Sequence, residues 1–435
     1  MTKVPEAGRV KTRLIPALGA DAAARLHGEL LRHTLQMASL HAAHSQVEIE
    51  VQCAGLQAKL DSLFDEIQLV RPQTDGDLGQ RIQAAIANAF TEGAQAVIVI
   101  GTDCPDISPD LLDDVWQLLT RSEAVIGPAD DGGYYLIGLS RLCPQLFEGV
   151  DWGTSKVLKQ TIDRCAQQRL RWTLYARPLS DVDEPENLVV CRRFPHAFTA
   201  TFPAVRPGLL SVVVPALNEA GNLEATLAPI LRRSDCEVIV ADGGSTDGTP
   251  DLAARLGCQV VPSNPGRGKQ LNAGAAMTRG ELLLFLHADT RLPASFREEI
   301  DSVLKSGAIA GAFRFQTDHP DWLMRCIELG ANWRSKFLQL PYGDQGLFLR
   351  SSDFFRLGGF RNWPLMEDFE FCQRLRRAGR IRMAPSAAIT SGRRWQRHGI
   401  IRTTARNQCC VAMYMLGFQP EQIRNFYSGK QQLTR

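Results

Sequence analysis

Along this chain, short apolar runs repeatedly stop at polar residues. SVVVPALNE at 211–219, EVIVADGGSTDG at 237–248 and LLLFLHADT at 282–290 are of this kind. Unbroken runs of this length suit strands covered on both faces of a parallel sheet. Doubly wound sheets open their ligand crevice at the carboxyl ends of such strands. The three ends carry Asn218 and Glu219, then Asp242 with Gly243 and Asp247, then Asp289. Gathered carboxylates are costly to desolvate without a cation or a hydrogen-bonding ligand, so the pattern predicts a metal-assisted nucleotide site.

The same patterning predicts helices at 20–39, 77–92, 109–120 and 154–168 in the first half, with strands at 47–53, 67–71, 96–101, 124–128, 134–139 and 171–177. In the second half, strands are expected at 210–215, 237–241, 258–262, 282–287 and 309–315. Helices are expected at 219–233, 249–256, 268–278, 294–305, 320–338 and 367–378, and again after Arg402. Alternation of this type implies parallel sheets in both halves. FPHAFTATFPAVRPG holds three prolines and no helical period. It divides the chain into 1–194, a linker at 195–208, and 209–435 with a basic helical tail.

Size agrees: 435 residues are too many for one ordinary core. A formal net charge of +2 excludes a general affinity for nucleic acid or anionic membrane, and arginines concentrate only beyond Arg374. Mean hydropathy is −0.14. The 11 cysteines show no zinc spacing and read as buried thiols in a reducing cytosol. No run suits a signal peptide or a membrane span, so a cytoplasmic location is expected.

Further motifs bear on chemistry. GRGKQLNAGA places Gly266, Arg267, Gly268, Lys269 and Asn272 where a backbone approaches phosphate and cations offset its charge. With PALNE, ADGGSTDGT, LHADT and MEDFEF in the same order, residues from 210 to about 390 resemble the family 2 glycosyltransferases of GT-A fold. That resemblance implies a nucleoside diphosphate sugar donor, held at its base and ribose by Pro215, Asn218, Glu219 and Asp242. It also implies a divalent ion, manganese or magnesium, at Asp289. His287 stands where the family has an acid, which weakens the case for magnesium. Asp368, next to Glu367 at a helix start, matches the family's general base for inverting transfer. Asp344 and Gln345 in YGDQGLF are expected to line the sugar or acceptor pocket. The competing structural readings are helix capping for Asn218 and Glu219, and helix-dipole compensation for Glu367 and Asp368. Trp395, Arg397 and His398 in GRRWQRHG suggest a loop over the donor.

Residues 1 to about 194 are similar to the DUF2064 family, through KVPEAGRVKTRL, GDLGQR, IGTDCP, PADDGGYYLIG, DWGTSKVL and DVDEP. The relation to guanylyltransferases of cofactor assembly implies a nucleotide at Gly8, Lys11, Arg13, Gly79 and Arg81. It also implies a metal held by Asp103 and Asp183, and a second-substrate pocket at Asp131, Gly132 and Gly133. The last three equally suit a hairpin turn. Family members usually carry an apolar strand before the basic loop, and a start upstream of Met1 is the expectation here.

Together the two resemblances predict an α/β chain of two doubly wound, Rossmann-like nucleotide-diphospho-sugar transferase domains in tandem. They resemble in combination the arsenosugar biosynthesis glycosyltransferases. A bifunctional enzyme is expected, with a nucleoside diphosphate sugar and a small-molecule acceptor as partners. The alternatives are a nucleotide-binding regulator with degraded catalytic groups, or a transferase whose tail at 400–418 lies on a membrane and serves a lipid-linked acceptor. Packing of that tail on its own domain is the favoured reading. Oligomeric state is left open.

Overall fold

The computed structural model describes residues 1–45, 47–55 and 69–429. Packing separates two compact units: Met1–Asp183 with Phe194–Thr201, and Glu184–Arg193 with Phe202–Arg435. Thus the short segment Glu184–Arg193 packs with the second unit.

In the first unit, strands β1 (Thr2–Lys3), β2 (Val51–Ala54) and β3 (Val70–Pro72) form a parallel sheet in that order. Residues 67 and 68 of the expected strand lie outside the described residues. A second sheet takes the order β4 (Val97–Ile100), β6 (Tyr134–Leu139), β5 (Ala124–Pro128), β7 (Trp172–Leu174). The Met1 ammonium donates to the Ile100 carbonyl (2.8 Å). Expectation of an all-parallel sheet fails here. β6 runs antiparallel to both β4 and β5, because the five residues 129–133 return the chain directly and leave no room for a crossover helix.

The second unit holds one mixed sheet of eight strands. β8 (Arg206–Ala216), β9 (Cys236–Asp242), β10 (Gln259–Pro262) and β11 (Gly280–Phe285) form its parallel part, in the order β10-β9-β8-β11. Leu210, Val212 and Val214 turn one face toward Leu223, Leu227 and Ile230 of the helix Ala220–Leu231, and all six are fully buried. Each such side chain contributes roughly 2 kcal/mol of transfer free energy. Val213 faces the opposite way, toward helix Arg267–Ala276. A Cβ on Gly274 would lie 2.5 Å from Val213 Cγ1, so glycine lets that helix sit close on the sheet. Helices on both faces explain why these strands read as unbroken apolar runs.

Beyond β11 the sheet departs from the expected parallel order. β12 is Thr290–Arg291, β13 Ala310–Thr317, β14 Leu347–Arg350 and β15 Ile381–Thr390, in the order β11-β14-β13-β15-β12. β14 is antiparallel to β11 and β13, and β12 is antiparallel to β15. β13 and β15 are parallel, but their register shifts between Ala312 and Arg314, opposite the stretch of β15 that holds Pro385. Proline cannot donate to the ladder and is accommodated at such an irregularity. Among the described residues, no helix is long and apolar enough to cross a membrane.

Candidate active site

The carboxyl ends of β8 and β11, the start of helix Glu367–Ala378 and the helix Arg393–His398 surround a cavity of about 800 Å³ in the second unit. Pro215, Glu219, Gly266, Arg267, Asp289, Asp344, Glu367 and Asp368 all line it. Asp289 and Asp368, more than 70 residues apart in sequence, open onto one space.

Asp368 is fixed by the backbone: Oδ2 accepts from Gly343 N (2.7 Å) and Oδ1 from Phe369 N (2.7 Å). Glu367 is buried with Arg267 Nη1 3.4 Å from Oε1. Burial pushes its carboxyl above the usual range, against the pull of Arg267 and with a further push from Asp368. Burial, then Arg267 and Arg394, hold the His287 imidazole well below its ordinary value, so it is neutral. His287 Nε2 and Asp368 Oδ2 lie 3.1 and 3.2 Å from the point where Gly343 would carry a Cβ. A Gly343→Ala variant therefore wedges the carboxylate. The neighbours must give by a few tenths of an ångström, so we expect turnover to fall roughly 10-fold with little change in melting temperature, less than the ~100-fold that a misplacement of about 1 Å costs. Steady-state kinetics beside a thermal melt check this.

Asp344 is held at about 6 by burial; Arg334 pulls it down and Asp368 adds a push upward. The folded value lies above the unfolded one. Its contribution to stability is fully present below about pH 4 and is lost as pH rises through 6. Asp344→Asn should therefore match the parent near pH 4 and exceed it by about 2 kcal/mol at pH 7.5, read from urea midpoints.

Other expected donor residues serve the fold. Asn218, at φ 57, accepts from Thr246 N (2.9 Å) and so ties the β8 loop to the β9 loop. Neither Asn218 nor Glu219 caps the helix by its side chain; Asp247 Oδ2 does, accepting from Ala220 N (3.1 Å). Three expectations are corrected. Asn272 is spent on both backbone groups of Phe360 (2.7 and 2.9 Å), and Gln345 is fully buried on Ser335, Tyr342 and Phe313. Lys269 Nζ lies 3.5 Å from buried Glu186, away from the cavity lining. Gly243 and Gly268 are close approaches. A Cβ would come 3.0 Å from the Gln270 amide in the first case and 2.7 Å from the Arg361 carbonyl oxygen in the second. Asp242 Oδ2 accepts from the amides of Gly244 and Ser245, while Oδ1 is buried and unpartnered among the described residues.

Sequence reasoning passed over Arg393. Its Nη2 lies 3.0 Å from Asp289 Oδ2 and 3.2 Å from Glu219 Oε2, so one guanidinium joins the ends of β8 and β11. Among the described residues, no three His, Cys, Asp or Glu side chains gather as metal ligands. The tail helix Ile400–Met415 adds Asn407, Cys410 and Val411 to the cavity wall. Trp395, Arg397 and His398 line it too.

The first unit has its own cavity of about 550 Å³. Lys11, Arg13, Arg81, Asp103, Asp131 and Asp183 line it. Asp103 and Asp183, expected together as metal ligands, both meet Lys11 Nζ, 2.6 Å from Asp103 and 2.8 Å from Asp183. That pairing also corrects the expectation that Lys11 meets phosphate. Gly132, at φ 90, and Gly133 form the turn between β5 and β6, and Asp131 Oδ1 accepts from Gly133 N (2.8 Å), the hairpin role. Gly79 is kept small by Trp152, whose Nε1 would be 2.4 Å from a Cβ there. Gly8 is exposed with open space about it and lies outside the cavity lining. Sequence reasoning gave no role to Asp181, which lines the same cavity and is pushed to about 7 by burial, then by Asp183 and Asp131.

Mixed α/β sheets with a cleft of carboxylates and arginines at parallel strand ends define the class as α/β. Residues 34–154 match the family model described as "Uncharacterized protein conserved in bacteria (DUF2064)", and residues 211–359 match "Glycosyl transferase family 2". The chain is a fusion of a DUF2064 segment with a family 2 glycosyl transferase segment. Glucosyl-3-phosphoglycerate synthase of Mycolicibacterium smegmatis is 38% identical over 92 residues, 18% of this chain and 30% of that protein. An uncharacterized glycosyltransferase of Mycobacterium bovis is 33% identical over 129 residues, 29% of this chain and 58% of that protein. The chain thus spans less than two thirds of either relative. Among solved structures, the mannosyltransferase PcManGT of Pyrobaculum calidifontis, in complex with GDP-Man and Mn2+, is 19% identical with a TM-score of 0.38. That match covers 57% of this chain and 77% of PcManGT.

Proposed function

We propose that the second unit transfers a sugar from a nucleoside diphosphate sugar to the hydroxyl of a small-molecule acceptor, with inversion at the anomeric carbon. The shared cavity of Asp289 and Asp368 carries this reading. The acceptor oxygen attacks the anomeric carbon and forms the new C–O bond as the bond to the diphosphate oxygen breaks. The electron pair leaves with the diphosphate, and Asp368 takes the acceptor's proton. Arg267 and Arg394, lining the same cavity, face the charge that develops on the leaving group. Asp242 Oδ1 supplies an acceptor for a base N–H.

Asp289 offers carboxylate oxygen, the ligand type that a hard divalent ion takes, and would hold such an ion. Such an ion, manganese or magnesium, would supply Lewis-acid relief of diphosphate charge. Arg393 holds Asp289 and Glu219 together and must give way for Asp289 to serve it. The first unit we take as a second transferase half, nucleotidyl or glycosyl, with Arg13 and Arg81 toward a nucleotide's phosphates.

Thermal melts of the whole chain with nucleoside diphosphates, with and without manganese, test donor binding. A selective ligand raises the midpoint. Failure of every nucleotide to do so, or a product that retains the donor's anomeric configuration, overturns the proposal.

A further inference from the structure

Helix Trp322–Phe337 buries one face and leaves the other bare. Met324, Glu328 and Ser335 point inward, and Asn332 bonds both backbone groups of Phe315 (2.7 and 2.9 Å). Trp322, Leu329, Trp333 and Phe337 are 70%, 66%, 59% and 61% exposed, with exposed Cys326 in the same row. Steps of three and four residues align them as one stripe. Large exposed apolar patches on otherwise well-packed proteins mark contact surfaces.

A groove of about 960 Å³ runs beside the stripe, lined by Leu329 and Trp333 together with Arg314, Lys336, Arg380 and Arg382. All four cations are exposed, and among the described residues none is paired with a carboxylate. On neighbouring elements of this unit, Arg325 is tied to Glu328 and Arg374 to Glu370.

We propose that this face docks on an anionic lipid bilayer. The helix lies in the headgroup plane with its tryptophans and Phe337 at the acyl boundary, and the four cations meet anionic headgroups. Tryptophan's apolar body and polar N–H suit that boundary, and a helix of this length, about 24 Å, lies along a surface rather than crossing it. Charge complementarity selects this occupant. A symmetric second copy would bring the same unpaired cations against themselves. The inference is independent of the sugar-transfer reading, since no residue of the donor cavity takes part.

Flotation of the whole chain with vesicles tests it. Binding is expected to phosphatidylcholine vesicles carrying phosphatidylglycerol, to weaken with added salt, and to be much lower on phosphatidylcholine alone. Arg380→Gln with Arg382→Gln should weaken partitioning about 25-fold, at roughly fivefold per cation. Trp322→Ser with Trp333→Ser should abolish it with the circular dichroism unchanged, which separates lost docking from lost folding. No flotation overturns the proposal. So does binding that ignores lipid charge, or a concentration-dependent dimer that Trp333→Ser dissolves.

Discussion

Asp368→Asn is expected to lower turnover between about 100- and 10,000-fold while leaving donor affinity unchanged. The carboxylate would serve as proton acceptor for the incoming hydroxyl, and an amide cannot take that proton. Geometry is nearly preserved, because Gly343 N and Phe369 N fix the side chain from the backbone (2.7 Å each). An amide accepts through its oxygen alone, so one of these bonds is lost, at about 1 kcal/mol of stability. Titration calorimetry with a nucleoside diphosphate should therefore agree between variant and parent, and the difference should lie in kcat. Of the other acids that line the same cavity, Asp344 and Glu367 lie nearest Asp368 in the chain or in its electrostatics. A rate within threefold of the parent would pass the role of base to one of them.

Parallel strands of the second unit were legible because both faces are covered, which leaves unbroken apolar runs such as SVVVPA. β15 was not legible. Its Pro385 and irregular burial destroy the period of two, and it becomes a strand only by pairing with β13. β14 was missed for a related reason: four residues carry no period, and two antiparallel neighbours define it. At the site, strand ends pointed to Asp289 and Glu219, which line the cavity because their position follows from the backbone. Asn272 and Gln345 were misread because a buried amide on a backbone partner and an amide facing ligand are the same letter in sequence. Arg393 escaped since a long side chain in a polar loop announces no partner, and its two acids lie 104 and 174 residues away. Departure from wholly parallel sheets follows from connection length, which fixes strand direction at the β5–β6 hairpin.

Lys11→Met is expected to destabilise the first unit by about 2–3 kcal/mol. The Lys11 side chain is 4% exposed and its ammonium touches Asp103 and Asp183 at once. Removing a buried partner leaves uncompensated charge, which costs about 3–5 kcal/mol when both sides are buried; the 42% exposure of each carboxylate places this case lower. Lys11 sits at φ 48, a conformation unfavourable for a non-glycine residue, and the ion pairs offset that strain. Burial lowers the Lys11 value, but the two carboxylates outweigh it and leave the group above an ordinary lysine. Its contribution is present below about pH 10.5 and is lost as pH rises through the folded value. Asp103 moves oppositely: burial raises it, Lys11 outweighs burial, and its contribution is lost as pH falls below the ordinary carboxylate range. The parent's advantage over Lys11→Met should therefore form a plateau from about pH 5 to 10 and shrink on either side. Hydrogen exchange at the β5 and β6 amides reports opening of this unit alone. Adding Asp103→Asn and Asp183→Asn to Lys11→Met should restore most of the loss. Unchanged exchange in Lys11→Met by itself would mean that the two carboxylates do not depend on the ammonium, and that a cation from solution already serves them.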